Sequence, residues 1–451
     1  MLGLALPVLA EESLTLLVGY TDWWLAGHFL HGDEYKAAMG LMSYMMWLLP
    51  SLFAALAIGA TAMVSRFVGA NDRQKAAHVT NQAVLVGVAF TIVAGIVLAA
   101  GGSGFVRAMQ LESPADELAL RYLWIVLPVL PLIMVEQVGI ACLRGAGDTV
   151  SGFVAKSIVN VVNVVVSSLL VVGPGFIPRL GWEGIAIGTA CGHGLGGLLV
   201  LGLLIRGRAG LSLRLKRMRP DTDLIRRLLR VGLPGGLDVT ALLLCHFTYL
   251  AIINSLGVSA AAAHGLGVQI EAMAWLPANA FHVAAATMTG QFLGAGDPRR
   301  AARSVFVAGA SAVALLTVAA LVFYFGGGIL TTFFTGDLTD STGIATARLL
   351  KIACFATPAL GLLMVLQGAL RGAGDTRWSL GITLVSLILL RVPFACWFAW
   401  EQIPLPFTDA VVPGWGMGVA GAWWAMVIDV IIRSGLASLR FLHGGWKRAK
   451  V

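Results

Sequence analysis

Charge is what this chain has little of. Only 12% of its 451 residues are Asp, Glu, Lys or Arg, against ~25% in a soluble domain. With 58% hydrophobic residues and a mean hydropathy of +0.85, its apolar runs repeatedly approach the ~20 residues that cross a bilayer. A soluble globule is excluded. Five cysteines (Cys142, Cys191, Cys245, Cys354, Cys396) fall in or at the ends of apolar segments with no CxxC spacing, which excludes a disulfide framework and a cysteine metal site. No GxxxxGK[ST] loop is present, so direct ATP drive is not expected. Neither HExxH nor GxSxG occurs, so no enzyme and no cofactor are expected. The ten-residue alternation of a membrane β-barrel is missing too. The opening "MLGLALPVLA" lacks a basic stretch and is read as the start of a helix, not as a cleaved signal.

Apolar windows and turn signals predict an all-α polytopic membrane protein with twelve spans. They lie near 4–28, 38–66, 77–101, 119–142, 152–173, 184–205, 231–255, 261–292, 301–325, 344–369, 378–399 and 418–440. The expected organisation is an N-terminal six-helix lobe (1–205), a basic cytoplasmic linker (206–230), a C-terminal six-helix lobe (231–440) and a basic tail (441–451). Most of the 31 Lys and Arg residues fall in loops after even-numbered spans or in the tail. Nine sit between spans six and seven: Arg206, Arg208, Arg214, Lys216, Arg217, Arg219, Arg226, Arg227 and Arg230. Loops after odd-numbered spans hold Lys36, Arg107, Arg121, Arg179 and Arg348. The positive-inside rule then puts both termini in the cytoplasm, in the cell (inner) membrane. Topology and anionic lipid account for the net charge of +8, and a nucleic-acid partner is not required. Lys447, Arg448 and Lys450 suit a membrane-surface anchor.

One loop is spelled twice. "LRGAGDT" reads 143–149 and returns at 370–376, within a gapless likeness of 121–149 to 348–376 that matches Pro131 to Pro358. At the same offset "LALPVLAEE" lies over "VGLPGGLDV", pairing Pro7 with Pro234 and Glu11 with Asp238. "VGANDRQKA" resembles "LGAGDPRRA" at nearly that offset. Six spans per half makes the halves parallel repeats, related by an axis along the membrane normal, as in many secondary transporters. The loop's glycines allow tight turns, Arg144 and Arg371 are expected as interfacial anchors, and Asp148 and Asp375 as caps of the next helix.

"LRGAGDT", "AAHGLGVQIEAMAWLPANAFHVAAATMTGQFLGAGDPRRA" (262–301) and "TDWWLAGHF" (21–29) resemble the multidrug and toxin extrusion (MATE) family, over essentially the whole chain. The set looks most like its prokaryotic DinF-type branch, and the tail "WWAMVIDVIIRSGLASLRFLHGGWK" fits as well. "GANDRQKAA" alone resembles a loop of the major facilitator superfamily, but the span-eight block and the second "LRGAGDT" have no counterpart there.

Ionisable groups at membrane depth are functional candidates, because a charge there costs at least ~2.5 kcal/mol. On span one, Glu11, Thr15 and Asp22 share a helical face. The resemblance implies cation coupling at Asp22, which matches an aspartate that this branch carries on its first span. Span five supplies Lys156, Asn160, Asn163 and Ser167 at i, i+4, i+7 and i+11, and Thr189 on span six joins them as a candidate. Family members often place a second aspartate where this chain has Ser167, and the departure weakens a two-aspartate proton site and, further, a sodium site. In the second half Tyr249, Leu387, Leu390 and Phe394 replace Asp22, Asn160, Asn163 and Ser167. There the candidates are Asp238 and Glu271, with Trp275 offering an aromatic face to a cation. Glu11, Asp238, Glu271 and Trp275 are expected to line the substrate cleft, and Glu136 its cytoplasmic half. His264 and His282 read as core or interfacial, Asp429 and Arg433 as a helical pair, and Arg391 as snorkelling or paired with a carboxylate.

The resemblance implies a secondary antiporter. Two lobes around a central cleft export small lipophilic or cationic compounds by alternating access in exchange for protons, with sodium as the alternative ion. A monomer in membrane lipid, using no ATP, is expected. The alternative is a lipid or polyprenol-linked precursor flippase of a related superfamily.

Overall fold

A computed structural model of the protein describes residues 2–30, 32–108, 113–175, 177–214, 218–335, 341–404, 411–449 and 451. Lys216, Arg217 and Lys450 of the charge census lie outside the described residues, as do the side chains of Lys36 and Arg107. The chain divides into two compact units, Leu2–Gly236 joined by Val451, and Leu237–Lys450.

The first unit contains α1 (Leu2–Phe29), α2 (Asp33–Leu52), α3 (Ala54–Gly69), α4 (Arg73–Ala108), α5 (Ala115–Val126), α6 (Leu130–Gly145), α7 (Val150–Val172) and α8 (Trp182–Ile205). Helix α9 (Thr222–Ser255) begins inside the stretch expected as a linker, because Leu224 and Leu228 join the first unit's core. The second unit continues with α10 (Val258–Gly294), α11 (Pro298–Thr335), α12 (Ser341–Ala353), α13 (Thr357–Ala373), α14 (Thr376–Ser386), α15 (Val392–Ala399) and α16 (Gly418–His443). A short antiparallel ribbon of β1 (Gln402–Pro404) and β2 (Val411–Pro413) precedes α16.

Among the described residues, eight helices are long and apolar enough to cross a membrane, or nine if α12 and α13, bent by 56°, form one span. Counting each broken pair (α2/α3, α5/α6, α12/α13, α14/α15) as one crossing gives the twelve spans, six and six, that the sequence predicts. The aligned prolines explain why the breaks recur. Pro131 and Pro358 stand in the first turns of α6 and α13, where a missing N–H costs nothing. Between α14 and α15 the chain makes a π-helical turn, Leu387–Arg391, whereas α10 runs continuously through Pro277.

Among the described residues a large apolar core fills the first unit, and smaller clusters lie in the second. Large apolar side chains also stand exposed, among them Ile92, Val93, Ile96 and Val97 on α4 and Phe325 and Ile329 on α11. Such surfaces suit contact with lipid.

Helix α8 meets α7 through glycines spaced by four: Gly184, Gly188, Gly192 and Gly196. A methyl at Gly184 would press on Leu170, at Gly188 on Ser167, at Gly192 on the Val159 carbonyl oxygen and at Gly196 on Val159. Small residues at this spacing let membrane helices approach closely. The close approach brings the polar edge of α7 against α8. Gly192→Ala is expected to destabilise the protein by about 1–3 kcal/mol through overpacking. Gly202→Ala on the same helix, where a methyl meets nothing within 4 Å, should be neutral. Thermal unfolding in detergent compares the two, and equal melting temperatures would refute the close-packing role.

Candidate functional site

The two copies of "LRGAGDT" are built alike. Gly147 (φ 91°) and Gly374 (φ 85°) turn the chain in the left-handed region that glycine tolerates. The arginine ahead of each turn reaches back to the first helix of its own repeat. Arg144 lies 2.8 Å from Glu11 and 3.4 Å from Glu12, and Arg371 donates to Asp238 over 2.9 Å. The acids are buried, at 2% exposure for Glu11 and 0% for Asp238. The half-buried arginines therefore fasten the turn to those acids. Glu11 and Asp238, expected to line a cleft, are the counter-ions of these arginines, and Ser379 also donates to Asp238 at 2.8 Å.

Beyond the turns the repeats differ slightly. Asp148 caps α7 by accepting the Ser151 N–H at 3.1 Å, and it pairs with Arg208 at 2.6 Å. Partial burial pushes the Asp148 carboxyl upward, but hydrogen bonds from Arg208 and Ser151 outweigh it and hold the group below the ordinary carboxylate range. Asp375 makes no cap bond and instead pairs with Arg440 at 2.8 Å.

Deeper in the first unit lies a second layer. Glu136 on α6 is fully buried. It holds Lys156 on α7 at 2.5 Å through one oxygen and His193 on α8 at 2.8 Å through the other. Glu136 was expected at the cleft, and the pairing with Lys156 and His193 explains its burial.

Deeper again is a third layer, around Asp22 of α1. One carboxyl oxygen accepts from the Asn163 amide at 3.1 Å, and the other from the Thr189 hydroxyl at 2.9 Å. Asn163 also reaches Thr189 at 3.1 Å and Ser167 at 3.4 Å, and Tyr122 of α5 donates to Thr189 at 3.1 Å. Asp22 is 4% exposed, Asn163 and Ser167 0%, Thr189 and Tyr122 1%. Among the described residues the donors to Asp22 are the neutral Asn163 amide and Thr189 hydroxyl. The Asn163 Oδ1 is buried without a partner, so turning the amide over would present an acceptor to a protonated Asp22. The same set thus accommodates the carboxyl with or without a proton.

The structure therefore brings Asp22, Asn163, Ser167 and Thr189 together. It places Asn160 one turn away, with its amide on the Lys156 carbonyl at 3.0 Å. Tyr122 and His193 were not singled out in the sequence. His193 stands four residues after Thr189, a spacing that could have flagged it, whereas Tyr122 carries no such signal.

In the second unit Tyr249 occupies the place of Asp22, under the Arg391 guanidinium at 5.1 Å from its ring centroid. Arg391 lies 3.7 Å from Asp429, which also bonds Arg433 and Ser386. Glu271 lies in the field of Arg391, so its charge is partly answered within the unit. Trp275 is 44% exposed. His264 accepts from Trp423 at 3.2 Å, and His282 bonds the Met364 carbonyl at 2.9 Å. Among the described residues no cluster of three or more His, Cys, Asp or Glu is placed to hold a metal ion.

Comparison with known proteins gives a consistent picture. The MatE family model matches the chain twice, over residues 7–169 and 234–397. A probable multidrug resistance protein NorM of Thermotoga maritima is 26% identical, across 100% of this chain and 93% of its own length. A second, from Idiomarina loihiensis, is 24% identical over 96% of this chain and 91% of its own. Two solved structures superpose with a TM-score of 0.87 at 20% identity: a MATE protein in a bent conformation, and an outward-facing multidrug resistance MATE family transporter of the MOP superfamily. Each covers 99% of this chain, and 95% and 96% of the respective neighbour is matched. At that identity the likeness speaks for the fold.

Two expectations follow. Arg371→Met alone strands a buried Asp238 charge and should cost about 3–5 kcal/mol. Adding Asp238→Leu should recover most of that loss, as read from thermal unfolding of the single and double variants. The depressed Asp148 carboxyl contributes stability above the unfolded-state value of ~3.9, and that stability is lost as pH falls below it. The melting temperatures of wild type and Asp148→Asn should therefore converge on acidification below pH ~4.

Proposed function

Because the chain belongs to the MatE family, we propose that it is a secondary antiporter that exports small lipophilic or cationic compounds in exchange for protons. One observation carries the reading: Asp22 is a buried carboxyl whose hydrogen-bond donors among the described residues are neutral. An ionised carboxylate in that place is costly without a cation, so a proton or a metal cation is the natural counter-charge. Asp22 is the one carboxylate among Asp22, Asn163, Ser167, Thr189 and Tyr122, which favours the proton over sodium. Sodium prefers several anionic or carbonyl oxygens.

Proton binding removes the charge and lets Asn163 turn its amide, loosening or tightening α1 against α7. Alternating access of the two six-helix lobes would couple that change to export. The relatives' names support a broad drug-like substrate range. The basic loops after even-numbered spans support a cell-membrane location with both termini cytoplasmic.

The test is efflux of a fluorescent lipophilic cation from proteoliposomes, driven separately by proton and sodium gradients. Proton-driven export by the wild type is expected, with Asp22→Asn at the level of protein-free vesicles. Full proton-driven export by that variant would overturn the assignment, and export driven only by sodium would replace the proton.

A further inference from the structure

The three buried layers of the first unit are threaded by the same helices. Along α7, Gly152 packs beside Glu11, Lys156 pairs with Glu136, and Asn163 holds Asp22. Along α8, Thr189 holds Asp22 and His193 holds Glu136. At 1.5 Å rise per residue, His193 lies only ~6 Å along α8 from Thr189, on the side of the "LRGAGDT" loop. Asp22 is 4% exposed, whereas the His193 side chain is 15% exposed.

We infer that Glu136, Lys156 and His193 form a second proton-holding station, through which the Asp22 proton leaves toward the "LRGAGDT" side. The inference rests on the proton-coupled reading of Asp22 given above. In the transfer, the O–H bond of Asp22 breaks and an N–H bond forms on His193, with water carrying the proton across the gap. Asp22 becomes a carboxylate and His193 an imidazolium, so the summed charge of the buried groups does not change. Glu136 answers the imidazolium through its second oxygen, while Lys156 occupies the first and keeps Glu136 balanced when His193 is neutral. His193 then releases the proton to water on the "LRGAGDT" side and the station returns to neutrality. His193 is the most accessible member of the station, with its side chain 15% exposed against 6% for Lys156 and 0% for Glu136.

Charged and titratable groups near His193 among the described residues come from four neighbouring helices. Glu136 comes from α6 and Lys156 from α7, with Asp22 on α1 and Tyr122 on α5 one layer away. Arg144 on α6 is held by Glu11 and Glu12, and Arg208 beyond the end of α8 by Asp148. On α8 itself Glu183 pairs with Arg121 near the opposite end, and Cys191 is exposed.

The test compares wild type, Asp22→Asn and His193→Gln in proteoliposomes, with ethidium as the exported probe and a pH-sensitive dye reporting proton movement. His193→Gln should slow proton-linked export about a hundredfold, the scale of a lost positioned proton carrier. It should also flatten the dependence on pH at the "LRGAGDT" side, while equilibrium ethidium binding in detergent stays unchanged. A His193→Gln rate and pH profile equal to wild type, alongside an inactive Asp22→Asn, overturns the station and leaves the antiporter reading standing. Coupled export by Asp22→Asn overturns both. If His193→Gln does not bind ethidium and is therefore misfolded, Glu136→Gln with Lys156→Met removes the station's charges as a neutral pair. The same slowing is then expected, and wild-type behaviour refutes the station.

Discussion

A charge that enters a bilayer must find its compensation inside the protein, because lipid offers none. The architecture of each unit follows from where those compensations fall. Arg144 and Arg371 fasten the first helix of each repeat to the turn after its fourth span, through Glu11 and Asp238. Asp148 and Asp375 fasten the same turn to Arg208 and Arg440, beyond or near the end of the sixth span. The duplicated loop is thus an electrostatic hub that ties three separated parts of the chain together at one end of each lobe. Its glycines supply the sharp turn, and its two charges supply the ties.

Against that background Asp22 is the exception. Three of the deep carboxylates (Glu11, Glu136 and Asp238) carry cationic partners in direct contact, whereas Asp22 has hydroxyl and amide donors. Lone carboxyls at depth persist where they exchange something. The two repeats have diverged at this level. In the second unit the equivalent position is Tyr249, and the charges are a compact Arg391–Asp429–Arg433 set set up by a π-helical turn. Such turns recur at functional positions, but here the two arginines share one carboxylate, Asp429, and Glu271 lies in the field of Arg391. The two repeats keep similar scaffolds and differ in the polar groups they bury.

The face of α7 was legible in the sequence, since Lys156, Asn160, Asn163 and Ser167 recur at helical spacing and all four are buried. So was the pairing of Asp429 with Arg433. What periodicity could not show was which polar groups cancel one another. Glu11, Asp238 and Glu136 look alike in sequence to Asp22, each an acid in an apolar run. Three of them are neutralised by bases 20 to 133 residues away. The glycine ridge of α8 was in plain view as four glycines at a spacing of four, yet only packing against α7 gives it meaning.

The sequence by itself determined the membrane class, the twelve spans, the doubling of the chain and the helical face on which Asp22 and Asn163 lie. Those properties depend on composition, local periodicity and self-similarity, which are carried by neighbours along the chain. The tertiary structure alone decided that Asp22 meets an amide and a hydroxyl where Glu11, Glu136 and Asp238 meet bases, that His193 joins Glu136 and Lys156, and that Tyr122 completes the Thr189 network. Those outcomes depend on which helices touch and at what height, and helix contacts in a membrane are set by side-chain shape and close backbone approach rather than by hydropathy.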